Sequence, residues 1–253
     1  MNKVFWSQVF VLLDAQLKVR YRKTIGGFVW VLMNPLIQFG SQAVIFSLVL
    51  KLDIENYPQF LMFGMLPWLY SFQTLEMNTG VFVQQSLFLK SYSTDPRVFI
   101  VATTFENALN SAATFLVMFL AFQVFSSISW HQLWLYPVSM IPLIAGIASL
   151  SQILAILQTF LRDTRYMVSF ALSVGYFLTP IFYPPDRLPD WLQSGLWANP
   201  FWIWIRPFRS NLNGLELGSF ALDWVASMAL SAGLTLIAVL YWARVKNEVR
   251  LRA

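Results

Sequence analysis

Lys18, Arg20, Arg22 and Lys23 crowd into six residues, directly ahead of a stretch from Phe28 to Leu50 that carries no charge. Guanidinium groups grip phosphate through paired, charge-assisted hydrogen bonds, and an ammonium adds a compact point charge. At the start of an apolar run such a cluster has two uses. It can hold a phosphate ester, or it can fix orientation and attract anionic lipid. The residues alone leave both open.

Other chemistry is missing. No GxxxxGK[ST] loop occurs, so ATP cannot be held by that route. There is no HExxH pair, no GxSxG elbow and no cysteine, which removes thiolate metal sites and disulfides and leaves the redox compartment unread. The single histidine, His131, reads as a solvated residue of an outer turn. Membrane transferases that work through scattered Asp and Arg share this profile, so that class stays open. Ion-coupled transport needs ionisable groups within the bilayer. Here only Glu106 qualifies, near the inner surface, and it is expected to be solvated or paired with Arg97. If the protein moves a substrate, the energy comes from another subunit.

Composition sets the elements that must position these residues. Of 253 residues, 57% are hydrophobic and 11% charged, against about 25% charged in an ordinary soluble domain. Charge-free runs at Phe28–Leu50, Asn56–Leu75, Asn107–Leu161, Tyr166–Pro185 and Trp224–Ala243 are each long enough to cross about 30 Å of hydrocarbon at about 1.5 Å per residue. The third is too long for one crossing, and the polar patch Ser126–Gln132 divides it. The sequence therefore predicts an all-α integral membrane protein, a single transmembrane domain over 1–253 with about six transmembrane helices. Their expected positions are Phe28–Leu50, Pro58–Glu76, Val98–Phe125, Leu133–Leu161, the run from Tyr166 ending near the stretch Thr179–Trp191, and Trp224–Ala243.

Ahead of them, Trp6, Phe10, Leu13 and Leu17 share a helical face with Ser7, Asp14 and Lys18 opposite, which predicts an amphipathic helix in the cytoplasmic interface. Between spans five and six, Pro184, Pro185, Pro189, Pro200 and Pro207 alternate with Trp191, Trp197, Phe201, Trp202, Trp204 and Phe208. Such a segment is apolar enough to enter a bilayer but too broken to cross it. Two short re-entrant helices lining a pathway are expected, with an outer loop in the headgroup layer as the competing reading. With the N-terminus inside, thirteen of the seventeen Lys and Arg fall on the cytoplasmic side, which places both termini there.

Six stretches in order resemble the membrane subunit of ABC-2 type polysaccharide exporters. They are RYRKTIGGFVWVLMNP (Arg20–Pro35), FGMLPW (Phe63–Trp68), LFLKSYSTDPRVF (Leu87–Phe99), FLRDTRY (Phe160–Tyr166), TPIFYP (Thr179–Pro184) and WANPFWIWIRPFR (Trp197–Arg209). Two departures stand out: Asp95 precedes Pro96 where that group has an aromatic or aliphatic residue, and Val98 replaces its usual acid. The resemblance implies a half-transporter of the bacterial inner membrane, in which a homodimer forms the pore and two copies of a separate ATPase carry ATP and Mg²⁺. This chain would then hold no cofactor or metal, perform no catalysis and bind no nucleic acid. Its cargo would be a lipid-linked polysaccharide, O-antigen foremost, with capsule and teichoic acid as alternatives.

On that reading Arg20, Arg22 and Lys23 meet the lipid diphosphate, beside membrane lipids. Trp30, Trp68, Tyr70, Phe72, Tyr176, Phe177 and Tyr183 line the glycan path, since ring faces stack on the C–H faces of sugars without requiring particular hydroxyl positions. Gln84–Arg97 is expected to form a short helix that presents Leu87, Leu89 and Tyr92 to a groove of the ATPase, with Lys90, Asp95 and Arg97 fixing register.

Overall fold

A computed structural model describes residues 3–22, 27–46, 54, 56–91, 94–125, 128–210, 212 and 216–252. Every regular element among them is helical. In chain order these are α1 (Lys3–Arg22), α2 (Gly27–Val44), α3 (Tyr57–Thr79), α4 (Val81–Gln84), α5 (Ser86–Ser91), α6 (Arg97–Phe125), α7 (Gln132–Phe160), α8 (Thr164–Leu178), α9 (Asp190–Gly195), α10 (Pro200–Arg209) and α11 (Leu217–Arg252). Among the described residues three stretches, Arg97–Val124, Gln132–Phe160 and Leu217–Val249, are long and apolar enough to cross a membrane unaided.

Helix α3 is the hub. It starts on Pro58, whose fixed φ suits a first turn, after Asn56 in the left-handed region at φ 50°, a conformation that a short polar side chain tolerates better than most. Almost its whole circumference is buried. Phe63, Leu66 and Tyr70 join Phe115 and Phe119 of α6, Tyr136 of α7 and Trp204 and Phe208 of α10 in the main core. The Phe115 and Tyr136 rings stack at 3.8 Å. Leu61, Met65 and Trp68 pack instead on Ile181, Phe182, Trp202 and Ile205. Beyond the other end of α3, Phe82 of α4, Phe99, Ile156 and Trp242 form a third cluster. Molecular ends are named from α3 below: the near end carries α4 and α5, and the far end carries Asn56.

Prolines inside helices strip a hydrogen bond from the carbonyl four residues earlier, and in lipid that carbonyl needs another donor. Helix α11 supplies two. The Trp224 indole N–H donates to Val138 O, orphaned by Pro142, at 3.0 Å. The Ser227 hydroxyl donates to Ile203 O, orphaned by Pro207, at 2.6 Å. One turn on, Ser231 Oγ accepts the Trp204 indole N–H at 2.9 Å. Gly146 makes room for that indole, because a Cβ there would overlap the Trp204 ring.

The helices expected at Pro58–Glu76, Val98–Phe125 and Leu133–Leu161 match α3, α6 and α7 closely, α2 covers the first expected stretch as far as Val44 with 47–50 outside the described residues, and two differ. Helix α8 is only 15 residues long, about 22 Å, because Pro180 holds Thr179 extended and ends the helix. Helix α11 runs 36 residues, past both limits of the sixth expected span, Trp224–Ala243. The proline-rich segment folds as two short helices, α9 and α10.

Candidate functional site

Helix α2 presents Asn34, Gln38 and Gln42 at four-residue intervals, so their amides form one stripe. Asn34 Oδ1 accepts a hydrogen bond from Gln38 Nε2 at 3.2 Å. The stripe faces Trp68, Leu69, Phe72 and Gln73 of α3 and Ser173, Tyr176 and Phe177 of α8 across a cleft of about 590 Å³. The Trp68 ring is almost fully buried at the base. It is held edge-on to Phe201 at 5.0 Å and tilted against Tyr176 at 5.8 Å. Gly175 permits that approach, since a Cβ there would stand 3.2 Å from the indole. Phe72 and Tyr176 are half-buried and Phe177 is exposed. One wall is therefore hydrogen-bonding amide and the other aromatic.

Four of the seven aromatics expected on a path, Trp68, Phe72, Tyr176 and Phe177, meet in this cleft. Tyr70 does not, because its ring is buried in the main core. Tyr183 packs against the far-end cluster and donates its hydroxyl to Phe177 O at 2.9 Å. Trp30 is described in its backbone only. The amide stripe, Gln73 and Ser173 were not expected. The spacing of Asn34, Gln38 and Gln42 is the mark that could have found them.

At the near end, Arg20 donates to the Glu106 carboxylate at 2.7 Å. The Glu106 partner is thus Arg20, whereas Arg97 pairs elsewhere. Gln16 Nε2 reaches Thr103 at 3.2 Å, Asn107 Nδ2 reaches Thr74 at 3.2 Å, and Asn78 Nδ2 reaches Thr104 at 3.3 Å. A polar seam thereby ties α1 to α6 and α6 to α3. Arg22 is described in its backbone only, and Lys23 lies outside the described residues.

Helix α5 leaves Leu87 82% exposed, while Phe88 stands edge-on against Phe99 at 5.5 Å. Asp95 and Arg97 are joined to each other: Arg97 Nε and Nη2 donate to the carboxylate, the latter at 2.6 Å, and the Arg97 backbone N–H caps onto Asp95 Oδ1 at 3.0 Å. The Arg97 guanidinium also lies 5.2 Å from the Trp242 ring centroid. Both charges therefore anchor the start of α6. Val98 is fully buried with Val9 and Ala102, where an acid would be desolvated. Lys90 is described in its backbone only, and Tyr92 lies outside the described residues.

The described residues hold no cluster of three or more His, Cys, Asp or Glu that could bind a metal. Over 182 residues the chain is 28% identical to the O-antigen export system permease protein RfbA of Myxococcus xanthus, covering 71% of this chain and 69% of that one. Over 202 residues it is 27% identical to a Klebsiella pneumoniae protein of the same name, covering 79% and 77%. A family match to the ABC-2 type transporter extends from residue 7 to residue 213, from α1 through α10. The match covers well over half of the chain, and the chain belongs to the ABC-2 type transporter family.

Proposed function

We propose that this chain is the membrane half of an ATP-driven exporter that carries a lipid-linked polysaccharide, O-antigen foremost, across the bacterial inner membrane. It works as a homodimer over two copies of a separate ATPase, crosses the membrane about six times with both termini cytoplasmic, and dips α9 and α10 into the outer leaflet. The cleft between α2, α3 and α8 carries this reading. A polysaccharide offers hydroxyls all round and apolar C–H faces above and below. A conduit with amides on one wall and rings on the other satisfies both while gripping neither tightly. The names of its relatives point to the same cargo.

Energy enters at the near end, which carries α4 and α5. Leu87 and its neighbours seat in a groove of the ATPase, and movement of α4 and α5 passes to α3 and, through the polar seam, to α6 and α1. Arg20, Arg22 and Lys23 receive the lipid diphosphate at the foot of α2. Arg20 does so from its place beside Glu106, which fixes its guanidinium without cancelling the positive field of its neighbours.

Deleting the gene in its native host is expected to abolish surface polysaccharide while lipid-linked polymer accumulates inside. A wild-type copy restores display, and a Gln38→Leu/Phe72→Ala copy, folded and present in the membrane, restores little. Undiminished display in the deletion strain overturns the proposal. So does chemical alteration of a glycolipid by the purified chain alone, which would make it a transferase.

A further inference from the structure

A second cavity, of about 360 Å³, opens at the far end of α3 between Ile54, Asn56, Gln59 and Phe60 on one side and Pro184, Pro185, Asp186, Trp202, Arg209 and Leu212 on the other. Nothing in the family match or in the cleft described above assigns it a role. Its walls are built with care. Arg209 of α10 donates to the carbonyls of Pro180 and Ile181, and to Phe60 O at 3.4 Å, while its guanidinium lies 3.9 Å from the Phe60 ring centroid. One side chain thereby ties α10, the α8–α9 connection and α3 into a single frame. Gly64 admits it, for a Cβ at that position would run into the guanidinium. Asn56, on the rim, holds a left-handed backbone, which its short polar side chain tolerates.

The lining chooses among ligands. Phe60, with Arg209 over one face, and the largely buried Trp202 give ring edges and surface, Asn56 and the buried Gln59 give amides, and Asp186 gives an exposed carboxylate. A hydrocarbon has no use for the last three. A phosphate headgroup would meet the Asp186 charge, and Arg209 already commits its Nη groups to the carbonyls of Pro180, Ile181 and Phe60, with only its buried Nε left unpartnered. A sugar ring matches every part: vicinal hydroxyls donate to the carboxylate, the amides donate and accept, and the C–H face lies on an aromatic plane. The volume lies near the lower bound of the range for small-ligand sites, about 300–1,000 Å³, which is room for one or two sugar rings.

We infer that this cavity is an exit-side saccharide subsite that takes a sugar unit of the exported chain, an inference that rests on the exporter reading. Its position supports the order. Residues Asn56–Phe60 and the cleft residues Trp68–Gln73 are about 12 residues apart on α3, about 18 Å, so one polymer of a few units can occupy both. The whole of α3 then separates the subsite from α4 and α5, about 35 Å away. A grip at that distance from the motor holds the emerging polymer between strokes, and the preformed frame keeps the entropic cost of binding low.

The test places p-benzoylphenylalanine at Ile54 and, separately, at Leu212 of the full chain, in its native host with its ATPase. Irradiation is expected to yield an adduct that runs as a glycan ladder. Asp186→Asn with Asn56→Ala is expected to weaken it at least about fivefold while the protein level holds, a change of about 1 kcal/mol in occupancy. The same probe at Leu69 reports the cleft. A glycan adduct at Leu69 with none at Ile54 or Leu212 overturns the subsite alone. Adducts only to phospholipid, or a glycan adduct indifferent to the Asp186 and Asn56 changes, also overturn it. Absence of glycan at all three positions takes down the exporter reading with it.

Discussion

Replacing Arg20 with alanine removes the guanidinium 2.7 Å from Glu106 and leaves behind a carboxylate whose side chain is only 4% exposed. Breaking a fully buried pair at one partner costs about 3–5 kcal/mol, and an exposed pair is worth about 0–1 kcal/mol. Arg20 keeps 30% of its side chain accessible, so water can follow it into the gap and part of the penalty is relieved. The expected loss is about 2 kcal/mol, between those limits. At about 2–4 °C per kcal/mol for a chain of this size, the melting temperature should fall by about 4–8 °C. A fluorescent fusion in detergent, heated and followed by size-exclusion chromatography, reads the shift. Glu106→Gln on the same background should return most of it, because an amide needs no cation. That double variant also separates two roles of Arg20. If it folds and fails to export, Arg20 meets substrate as well as Glu106; if it folds and exports, Arg20 serves to hold α1 on α6. An Arg20→Ala protein that melts within about 1 °C of wild type refutes the reasoning.

Other outcomes follow from the same contacts. Gly146→Ala drives a methyl into the Trp204 indole and should cost about 1–3 kcal/mol, seen as a lowered melting temperature that Trp204→Phe partly restores. Trp224→Phe leaves Val138 O without its donor and should cost about 1 kcal/mol. With Pro142→Ala the backbone N–H returns, and Trp224→Phe should then become nearly neutral in a double-mutant cycle. Leu87→Asp, on a surface position of α5, should leave melting unchanged and abolish co-purification of the ATPase.

The long helices were legible because absence of charge reports the hydrocarbon directly, and α6 and α7 fall within a residue of the predicted limits. That measure locates the membrane and not the helix, which is why α11 was underread: Arg244 and Lys246 leave the apolar zone without ending the hydrogen-bond ladder. Helix α8 was overread for the converse reason. The run to Pro185 stays apolar, but Thr179 cannot remain helical before Pro180. In the cleft, Trp68 and Phe72 are four residues apart and share a face. Tyr70, about 200° round the helix from Trp68, had to point elsewhere, and its ring lies in the core. The Arg20–Glu106 pair joins residues 86 apart in sequence, a distance at which no local pattern informs. The amides of α2 were readable in period but passed over among many apolar neighbours.

The debts left by Pro142 and Pro207 are both settled by α11. Sliding α11 by a turn would strand two carbonyls in an oily medium at once, a penalty no lipid can relieve. Those three helices therefore travel as a single slab. In the exporter proposed above, an opening is then expected on the side where α2 and α8 flank the amide and ring walls, with the slab as the jamb against which it swings.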